Sequence, residues 1–178
     1  KVRFEVEFAP KGGEAGMDET GVDEIQFLMS ANLGEALKPI QKVASGGELA
    51  RIMLALKNVL AEGDEIGSLV FDEVDTGVSG RAAQKVAEKL AGVARTKQVL
   101  CVTHLPQLAA MADVHFSVEK GERKGRTFTE VERLSRERRM EELARLTSGE
   151  RITGATLAAA GELLDSAERF KRALTQQK

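Results

Sequence analysis

The amino-acid sequence predicts an α/β fold in which a mostly parallel sheet is flanked by helices, with an antiparallel strand pair at the N-terminus and helices at the C-terminus. Three patterns support this prediction. Apolar and polar residues alternate at the start, two short apolar strands enclose a helix in the middle, and helical periodicity dominates the end. With 178 residues, 42% of them apolar, we expect a single globular domain over residues 1–178.

The first predicted elements are strands. Residues 2–8 alternate apolar and charged side chains, which is typical of a half-buried strand. Residues 25–30 predict a second strand that can pair antiparallel with the first across the glycine-rich stretch 11–21. Residues 32–43 are predicted to form a loop. An amphipathic helix is then predicted over residues 45–61, because its apolar stripe recurs at helical spacing as Leu49, Ile52, Met53, Leu56 and Leu60.

A β-α-β unit forms the middle of the chain. Residues 68–73 and 98–104 are apolar strands, and Ser79 can cap the helix between them. Such a unit makes the two strands parallel. The apolar stripe of that helix is predicted to comprise Ala83, Val86, Ala87, Leu90, Val93 and Ala94. The later elements are a short helix at 106–112, strands at 114–118 and 127–134 around a turn at 121–125, and helices at 138–146 and 156–174.

Composition excludes several classes of protein. With 26 basic and 28 acidic residues, the chain lacks the positive charge of a dedicated nucleic-acid binder. It has no Trp or Tyr and seven Phe, so few side chains can stack on unpaired bases. The single cysteine, Cys101, lies in an apolar run and fits a reducing cytoplasm. No apolar run is long enough to span a membrane, and we expect no membrane partner.

Two adjacent carboxylates, Asp72 and Glu73, follow the first strand of the β-α-β unit. Ligands of α/β sheets bind at the carboxyl ends of strands. Phosphate chemistry commonly gives one acid to the Mg²⁺ shell and another to the attacking water. On this interpretation Asp72 binds the metal through water and Glu73 activates water. The alternative is that the two acids merely end a strand.

Ser45, Gly46, Gly47 and Glu48 begin the predicted amphipathic helix. Ser45 and Glu48 have the spacing of a capping box. A cap alone does not require two glycines in the first turn, since each weakens a helix by roughly 0.8 to 1 kcal/mol relative to Ala. Bare N–H groups at a helix N-terminus can bind a phosphate. The cap and the phosphate contact therefore stand as two hypotheses for one segment.

His104 follows the second strand, at the same sheet edge as the acids if the strands are parallel. One protonated ring nitrogen there can donate to a γ-phosphate, although an ordinary hydrogen-bonding histidine is the alternative. Two histidines and one cysteine without ligand-like spacing argue against a zinc site. No G-x-x-x-x-G-K-[ST] motif occurs, so the chain cannot cradle a β-phosphate by itself.

In this order and spacing, the three motifs resemble the C-terminal lobe of ABC-type ATPases. Residues 43–48 resemble the ABC signature, strand 68–73 resembles Walker B, and residues 75–80 resemble the D-loop. His104, at the end of strand 98–104, resembles the switch histidine. The resemblance thus covers the signature, Walker B and the switch histidine in this order, together with the D-loop between the last two.

Within that superfamily, residues 37–39, 72–80 and 102–107 are similar to the RecN family of SMC-related bacterial ATPases, which act in DNA repair and recombination. The resemblance implies a head of two lobes, of which this is the C-terminal lobe and the N-terminal lobe carries Walker A. It also implies ATP and Mg²⁺ as cofactors, a homodimer that sandwiches ATP, DNA as a partner of the full-length protein, and a cytoplasmic, nucleoid-associated location.

The resemblance further implies roles for individual residues. Glu73 and His104 would be catalytic, and Asp72 would hold Mg²⁺. The residues that would contact the ATP of the opposing head are Ser45, Gly46, Gly47 and Glu48, and those of the D-loop are Thr76, Gly77 and Ser79. Glu48 stands where transporters commonly have glutamine, and Ser79 where many relatives have aspartate, which leaves the contacts of both residues open.

Two other functions remain as alternatives: a nucleotide-binding domain fragment of another SMC-like or transporter ABC ATPase, and a non-catalytic module for dimerisation or DNA tethering. A basic cluster could contact DNA phosphates, and it comprises Arg133, Arg136, Arg138 and Arg139. Glutamates at 137, 141 and 142 are interleaved with it, which favours a solvated helix face.

Overall fold

The computed structural model describes residues 3–12, 16–30, 34–43, 45–60, 65–123 and 126–176. The chain forms two compact units, Lys1–Leu49 and Ala50–Lys178, and each is described by itself. The single domain over residues 1–178 stays a prediction. The predicted fold class is confirmed, because the described chain combines antiparallel strand pairs, a parallel pair and C-terminal helices.

The first unit contains a three-stranded antiparallel sheet. Its strands are β1 (Arg3–Pro10), β2 (Asp23–Ser30) and β3 (Lys38–Pro39), in that order across the sheet, and α1 (Ile40–Val43) follows. The predicted antiparallel pair is confirmed. The predicted loop over 32–43 is wrong in part, because Leu28 pairs with Pro39 and the chain then makes one helical turn. Residues 32 and 33 of that loop lie outside the described residues.

One face of the β1–β2 hairpin is apolar. The register sets Phe4 opposite Met29, Val6 opposite Phe27, and Phe8 opposite Ile25, so these six side chains share that face. Phe4 and Phe27 stack with ring centroids 5.7 Å apart. All of β1 is nevertheless exposed, so the predicted half-buried strand is wrong for the described chain. Alternation identified the apolar face, but no described element covers β1.

The β-α-β unit is confirmed in the second unit. Helix α2 (Gly46–Leu60) leads to β4 (Ser68–Phe71), then α3 (Gly80–Val93) and β5 (Gln98–Cys101). Strands β4 and β5 are parallel, with Phe71 opposite Cys101. The predicted stripe of α3 packs inward, as its four buried residues are Ala83, Ala87, Leu90 and Val93.

The remaining elements are α4 (Pro106–Met111), β6 (Phe116–Arg123), β7 (Arg126–Arg133), α5 (Arg136–Ser148) and α6 (Gly154–Gln176). Strands β6 and β7 form an antiparallel hairpin. The predicted turn at 121–125 is wrong at its start, because Gly121 lies within β6 opposite Phe128, whose ring occupies the space a Cβ would need. Residues 124 and 125 of that turn lie outside the described residues.

The core of the second unit lies between one face of the parallel strands and helices α2 to α6. Its most deeply buried large side chains include Leu54, Phe71, Val74, Val93, Leu143 and Leu164. The opposite face of the parallel pair is bare, with Val70 71% and Val102 64% exposed. Parallel sheets are normally covered on both faces, so this face is unusual.

Helix α2 is amphipathic, but its predicted apolar stripe is not its buried side. Leu49, Met53, Leu56 and Leu60 are exposed, whereas Leu54 is buried in the core. Residue 61, the predicted end of this helix, lies outside the described residues. Among the helices of the described chain, none combines the length and apolar character needed to cross a bilayer.

Candidate functional site

Asp72 and Glu73 lie directly after β4, and both are exposed. One carboxylate oxygen of Asp72, Oδ1, accepts the backbone N–H of Glu73 at 2.8 Å. Glu73 has φ +57°, the one positive φ at a non-glycine residue among the described residues. This conformation costs a non-glycine residue about 1 to 2 kcal/mol. Strain of this kind clusters at functional sites, which supports a role for the Glu73 side chain.

The segment after the acids is a pair of tight turns. The Thr76 N–H donates to the Glu73 carbonyl at 3.0 Å, and the Val78 N–H donates to the Asp75 carbonyl at 3.3 Å. Gly77 has φ +74°, so the turn itself requires a glycine there whatever the nucleotide contact. Ser79 is the N-cap residue of α3, as predicted, but its side chain makes no capping hydrogen bond.

Arg51, on helix α2, holds this turn. Its Nη1 donates to the Thr76 carbonyl at 2.7 Å and to the Val74 carbonyl at 3.3 Å. Arg51 could not be identified from the sequence, because the contact joins residues far apart in the chain. The structure therefore connects the helix that follows the signature to the predicted D-loop.

His104 lies at the same sheet edge as the acids, as predicted, because β4 and β5 are parallel and Val102 N–H donates to the Phe71 carbonyl at 3.0 Å. Asp75, a buried carboxylate, connects the two strand ends. Its Oδ2 accepts from Thr103 Oγ1 at 2.6 Å and from the His104 backbone N–H at 3.0 Å, and lies 3.1 Å from His104 Nδ1. From the sequence, Asp75 is predicted only to lie in the D-loop, without a role of its own.

The pKa of the Cys101 thiol reflects its burial and the negative charges at this edge of the sheet. This pKa is raised to about 11, mainly by burial, with smaller contributions in the same direction from the negative charges of Asp75 and Asp72. The thiol is free and protonated at neutral pH. Two carboxylates thus act on one strand end, where a cation would be favoured.

Asp72 suits Mg²⁺ better than a metal held by protein ligands alone. Mg²⁺ is usually held by one or two carboxylates together with waters and substrate phosphates. Within the described ranges, no group of three or more His, Cys, Asp or Glu side chains can hold a metal. One exposed aspartate beside Glu73 therefore fits a metal that arrives with a nucleotide.

The predicted capping box is confirmed in the first unit. Glu48 Oε2 accepts from the Ser45 backbone N–H at 2.9 Å and from the Ser45 hydroxyl at 3.1 Å, and the Glu48 N–H approaches Ser45 Oγ at 3.4 Å. Gly46 and Gly47 form the first turn of α2. The contact of these four residues with a phosphate stays a prediction. Residue 44 of the signature lies outside the described residues.

The basic cluster is largely engaged within the chain. Arg136 forms ion pairs with Asp165 and Glu168, while Arg138 pairs with Glu141 at 2.9 Å. Arg139 donates to the carbonyls of 109, 110 and 112 at the end of α4. These contacts favour the helix-face interpretation over DNA binding.

Comparison with known proteins identifies relatives along almost the whole chain. The DNA repair protein RecN of Halalkalibacterium halodurans is 49% identical over 172 residues, which are 96% of this chain and 30% of that protein. RecN of Bacillus subtilis is 48% identical over 160 residues, which are 90% of this chain and 28% of that protein. The chain belongs to the RecN family. It spans about 30% of the length of these RecN relatives.

Solved structures support the fold of this RecN segment. An Smc head domain with a coiled coil and joint, derived from Pyrococcus yayanosii, is 22% identical with a TM-score of 0.58, covering 82% of this chain and 26% of that chain. An SmcHead bound to the C-winged helix domain of ScpA is 22% identical with a TM-score of 0.51, covering 78% and 39%. No protein-family model matches the chain.

Proposed function

We propose that this chain is the C-terminal lobe of the ATPase head of a RecN-type DNA repair and recombination protein. The observation that carries the proposal is the parallel pairing of β4 and β5, which brings the acid pair and His104 to one sheet edge. The RecN relatives support the assignment to DNA repair. The protein would act in the cytoplasm on nucleoid DNA, which other parts of the full-length protein would contact.

The residues of this edge divide the work on ATP. Asp72 holds Mg²⁺ through water, and Glu73 accepts a proton from the attacking water. His104 contacts the γ-phosphate. When bound, Mg²⁺ neutralises charge on the phosphates. The strained backbone of Glu73 and the hydrogen bond from its backbone N–H to Asp72 support this division, since they set the backbone of Glu73 and hold the Asp72 carboxylate at the strand end.

The signature would act on a second nucleotide, in an ATP-bridged homodimer. Ser45 and Glu48, with the amides of Gly46 and Gly47, would contact the ATP of the opposing head. The D-loop residues Thr76, Gly77 and Ser79 would sense that contact. ATP binding would drive dimerisation, and hydrolysis would reset it. The tight turn at Gly77 and the Arg51 contact to Thr76 support a defined D-loop conformation.

The partner that completes each head would be the N-terminal lobe with Walker A. The sequence has no Walker A motif of its own. The bare face of the parallel pair, with Val70, Leu100 and Val102 exposed, supports such a partner, because parallel strands need cover on both faces. We therefore expect negligible ATPase activity from the 178-residue chain alone.

The test is ATP turnover by the full-length protein with Glu73→Gln. We expect turnover to fall by about two orders of magnitude or more, since removing a general base commonly costs 10²- to 10⁴-fold. ATP binding should persist, which distinguishes lost chemistry from a lost site. Unchanged turnover would favour the non-catalytic dimerisation or tethering module instead. Turnover by the purified 178-residue chain would contradict the split head.

A further inference from the structure

We propose that Asp75 is a positioning residue for His104: its buried carboxylate holds the imidazole in the form protonated at Nδ1, so that Nε2 is the ring nitrogen presented to the nucleotide. The inference rests on the proposed function for the identity of the nucleotide. The state of the imidazole itself can be measured without any nucleotide.

The first support is the contrast in burial within the pair. Asp75 is 3% exposed, whereas the side chain of His104 is 73% exposed. An exposed histidine would ordinarily sample several rotamers in water. Here one end of the ring contacts a carboxylate that is fixed inside the protein. The ring is therefore anchored at Nδ1, and its other end lies toward solvent.

The second support is the hydrogen-bond network on one oxygen of Asp75. Oδ2 accepts from the Thr103 hydroxyl at 2.6 Å and from the His104 backbone N–H at 3.0 Å, and His104 Nδ1 lies 3.1 Å away. The direction of the hydroxyl is set, because Thr103 Oγ1 itself accepts the Leu105 N–H at 3.0 Å. The network thus holds the carboxylate in place independently of its contact with the imidazole ring.

The tautomer follows from the chemistry of these groups. An ionised carboxylate only accepts hydrogen bonds, so a ring nitrogen 3.1 Å from Oδ2 avoids repulsion between lone pairs only when that nitrogen carries a proton. A neutral ring then has its lone pair at Nε2. Nε2 can accept a proton or a hydrogen bond from water, and it can donate to a phosphate oxygen only when the ring carries both protons. The single protonated nitrogen considered from the sequence is therefore already used by Asp75.

A purely structural role for Asp75 is the competing explanation, because the same carboxylate joins the turn after β4 to the end of β5. The two explanations differ in what other variants do. Thr103→Val removes a hydrogen bond that joins Asp75 to the end of β5 but leaves the imidazole beside Asp75. It should therefore reduce stability without changing the protonation of the ring. Asp75→Asn keeps an acceptor oxygen, whereas Asp75→Ala removes it.

The first experiment is long-range ¹H–¹⁵N NMR on the ¹⁵N-labelled 178-residue chain, which has two histidines. We expect the His104 ring to be protonated at Nδ1 in the wild type and in Thr103→Val. Free imidazole side chains favour the form protonated at Nε2, and Asp75→Ala should restore that form. A neutral wild-type ring that is protonated at Nε2 alone overturns the proposal. This result needs no variant, so misfolding of Asp75→Ala does not weaken the test.

The second experiment is a double-mutant cycle on ATP turnover by the full-length protein. Asp75→Ala should reduce kcat roughly tenfold or more, as loss of a partner that orients a histidine commonly does. It should have no further effect when His104 is already alanine. Asp75→Asn should restore part of the loss. Additive effects would overturn the positioning role. An inactive wild-type protein would instead contradict the proposed function, whatever the NMR result.

Discussion

Arg51 donates a hydrogen bond of 2.7 Å to the backbone carbonyl of Thr76, so a helix side chain supports the turn that follows the acid pair. A charged donor to a carbonyl contributes about 1.5 to 3 kcal/mol, and less where it is exposed. We expect Arg51→Ala to lower the unfolding free energy of the chain by about 1 to 2 kcal/mol, measured by urea denaturation. The unfolding free energy of Arg51→Lys should lie between those of the wild type and Arg51→Ala, since an ammonium group lacks the guanidinium fork.

The matched control for Arg51 is Arg95→Ala, because Arg95 is exposed on the turn after α3. Its effect should stay within about 0.5 kcal/mol. In the full-length protein, Arg51→Ala should also reduce ATP turnover. Equal stability losses for the two arginine variants would show that the Thr76 contact contributes nothing.

Glu73 adopts φ +57°, a conformation that glycine takes without penalty. Glu73→Gly should therefore raise the unfolding free energy by up to about 1 kcal/mol, after the entropy cost of glycine is subtracted. The same change should abolish ATP turnover in the full-length protein. Glu73→Gln keeps the strained backbone, so its stability should match the wild type within a few tenths of a kcal/mol. Destabilisation by Glu73→Gly would be evidence against strain at this residue.

The Cys101 thiol has its pKa raised from 9.0 to about 11 by burial and by the charges of Asp75 and Asp72. Below pH 9 its thiolate fraction should thus be about 100-fold lower than that of an unperturbed thiol. Alkylation by iodoacetamide at pH 8 should be slow and should accelerate as pH approaches 11. Because folding raises this pKa, the thiol should lower stability as pH rises from 9 to 11.

Asp75→Asn provides the control for Cys101. Of the two carboxylates, Asp75 has the larger effect on the pKa of the thiol, and asparagine removes its charge while keeping the size of the side chain. The reactivity of Cys101 should then increase at every pH below 11. A wild-type rate equal to that of a small-molecule thiol would contradict the burial of this side chain.

Phe128 covers Gly121 across the β6–β7 hairpin, and any Cβ at residue 121 would require the ring to move. We expect Gly121→Val to lower the unfolding free energy by about 1 to 3 kcal/mol, as overpacking usually does. In a Phe128→Ala background the sign should reverse, because a glycine inside a strand is then only a conformational cost. The four unfolding curves of this cycle measure the coupling. Additivity would mean that the ring moves aside at no cost.

Val70 is 71% exposed on the bare face of the parallel pair. Val70→Asp should change the stability of the 178-residue chain by less than about 1 kcal/mol, since most of this side chain is exposed. In the full-length protein it should abolish ATP turnover, because a carboxylate would be buried against the N-terminal lobe. Val70→Thr, which keeps the shape and β-propensity, should retain most of the activity. An active Val70→Asp protein would mean that another surface receives the lobe.

The β-α-β unit and the position of its site could be predicted because they depend on local patterns. Short apolar runs gave β4 and β5, and parallel pairing then forced Asp72 and His104 to one edge. Asp75 was missed for the opposite reason. Its partners are Thr103 and His104, and only the register of two strands brings these residues together. Nothing in the adjacent sequence distinguishes a buried aspartate from the exposed acids before it.

Burial was less predictable than secondary structure. Alternation identified the apolar side of β1, yet the structure leaves Phe4 and Phe8 exposed, because periodicity says which side chains share a face and not what covers it. Gly121 was assigned to a turn because glycine is common in turns. In the structure it lies in a strand, where the ring of Phe128 leaves no room for a Cβ. Lys38 and Pro39 form a strand too short for any period to be detected.

The apolar face of the β1–β2 hairpin has a practical consequence for anyone who prepares this chain alone. Extended strands with exposed aromatic side chains are templates for association with other copies. The 178-residue chain should therefore self-associate at high concentration, so its NMR spectra and unfolding curves should be recorded on dilute samples, and part of the protein should enter inclusion bodies on overexpression. Co-expression with the N-terminal part of the protein should increase the soluble yield. In the proposed two-lobe head, synthesis of both lobes as one polypeptide would bury this face before it contacts another copy of the chain.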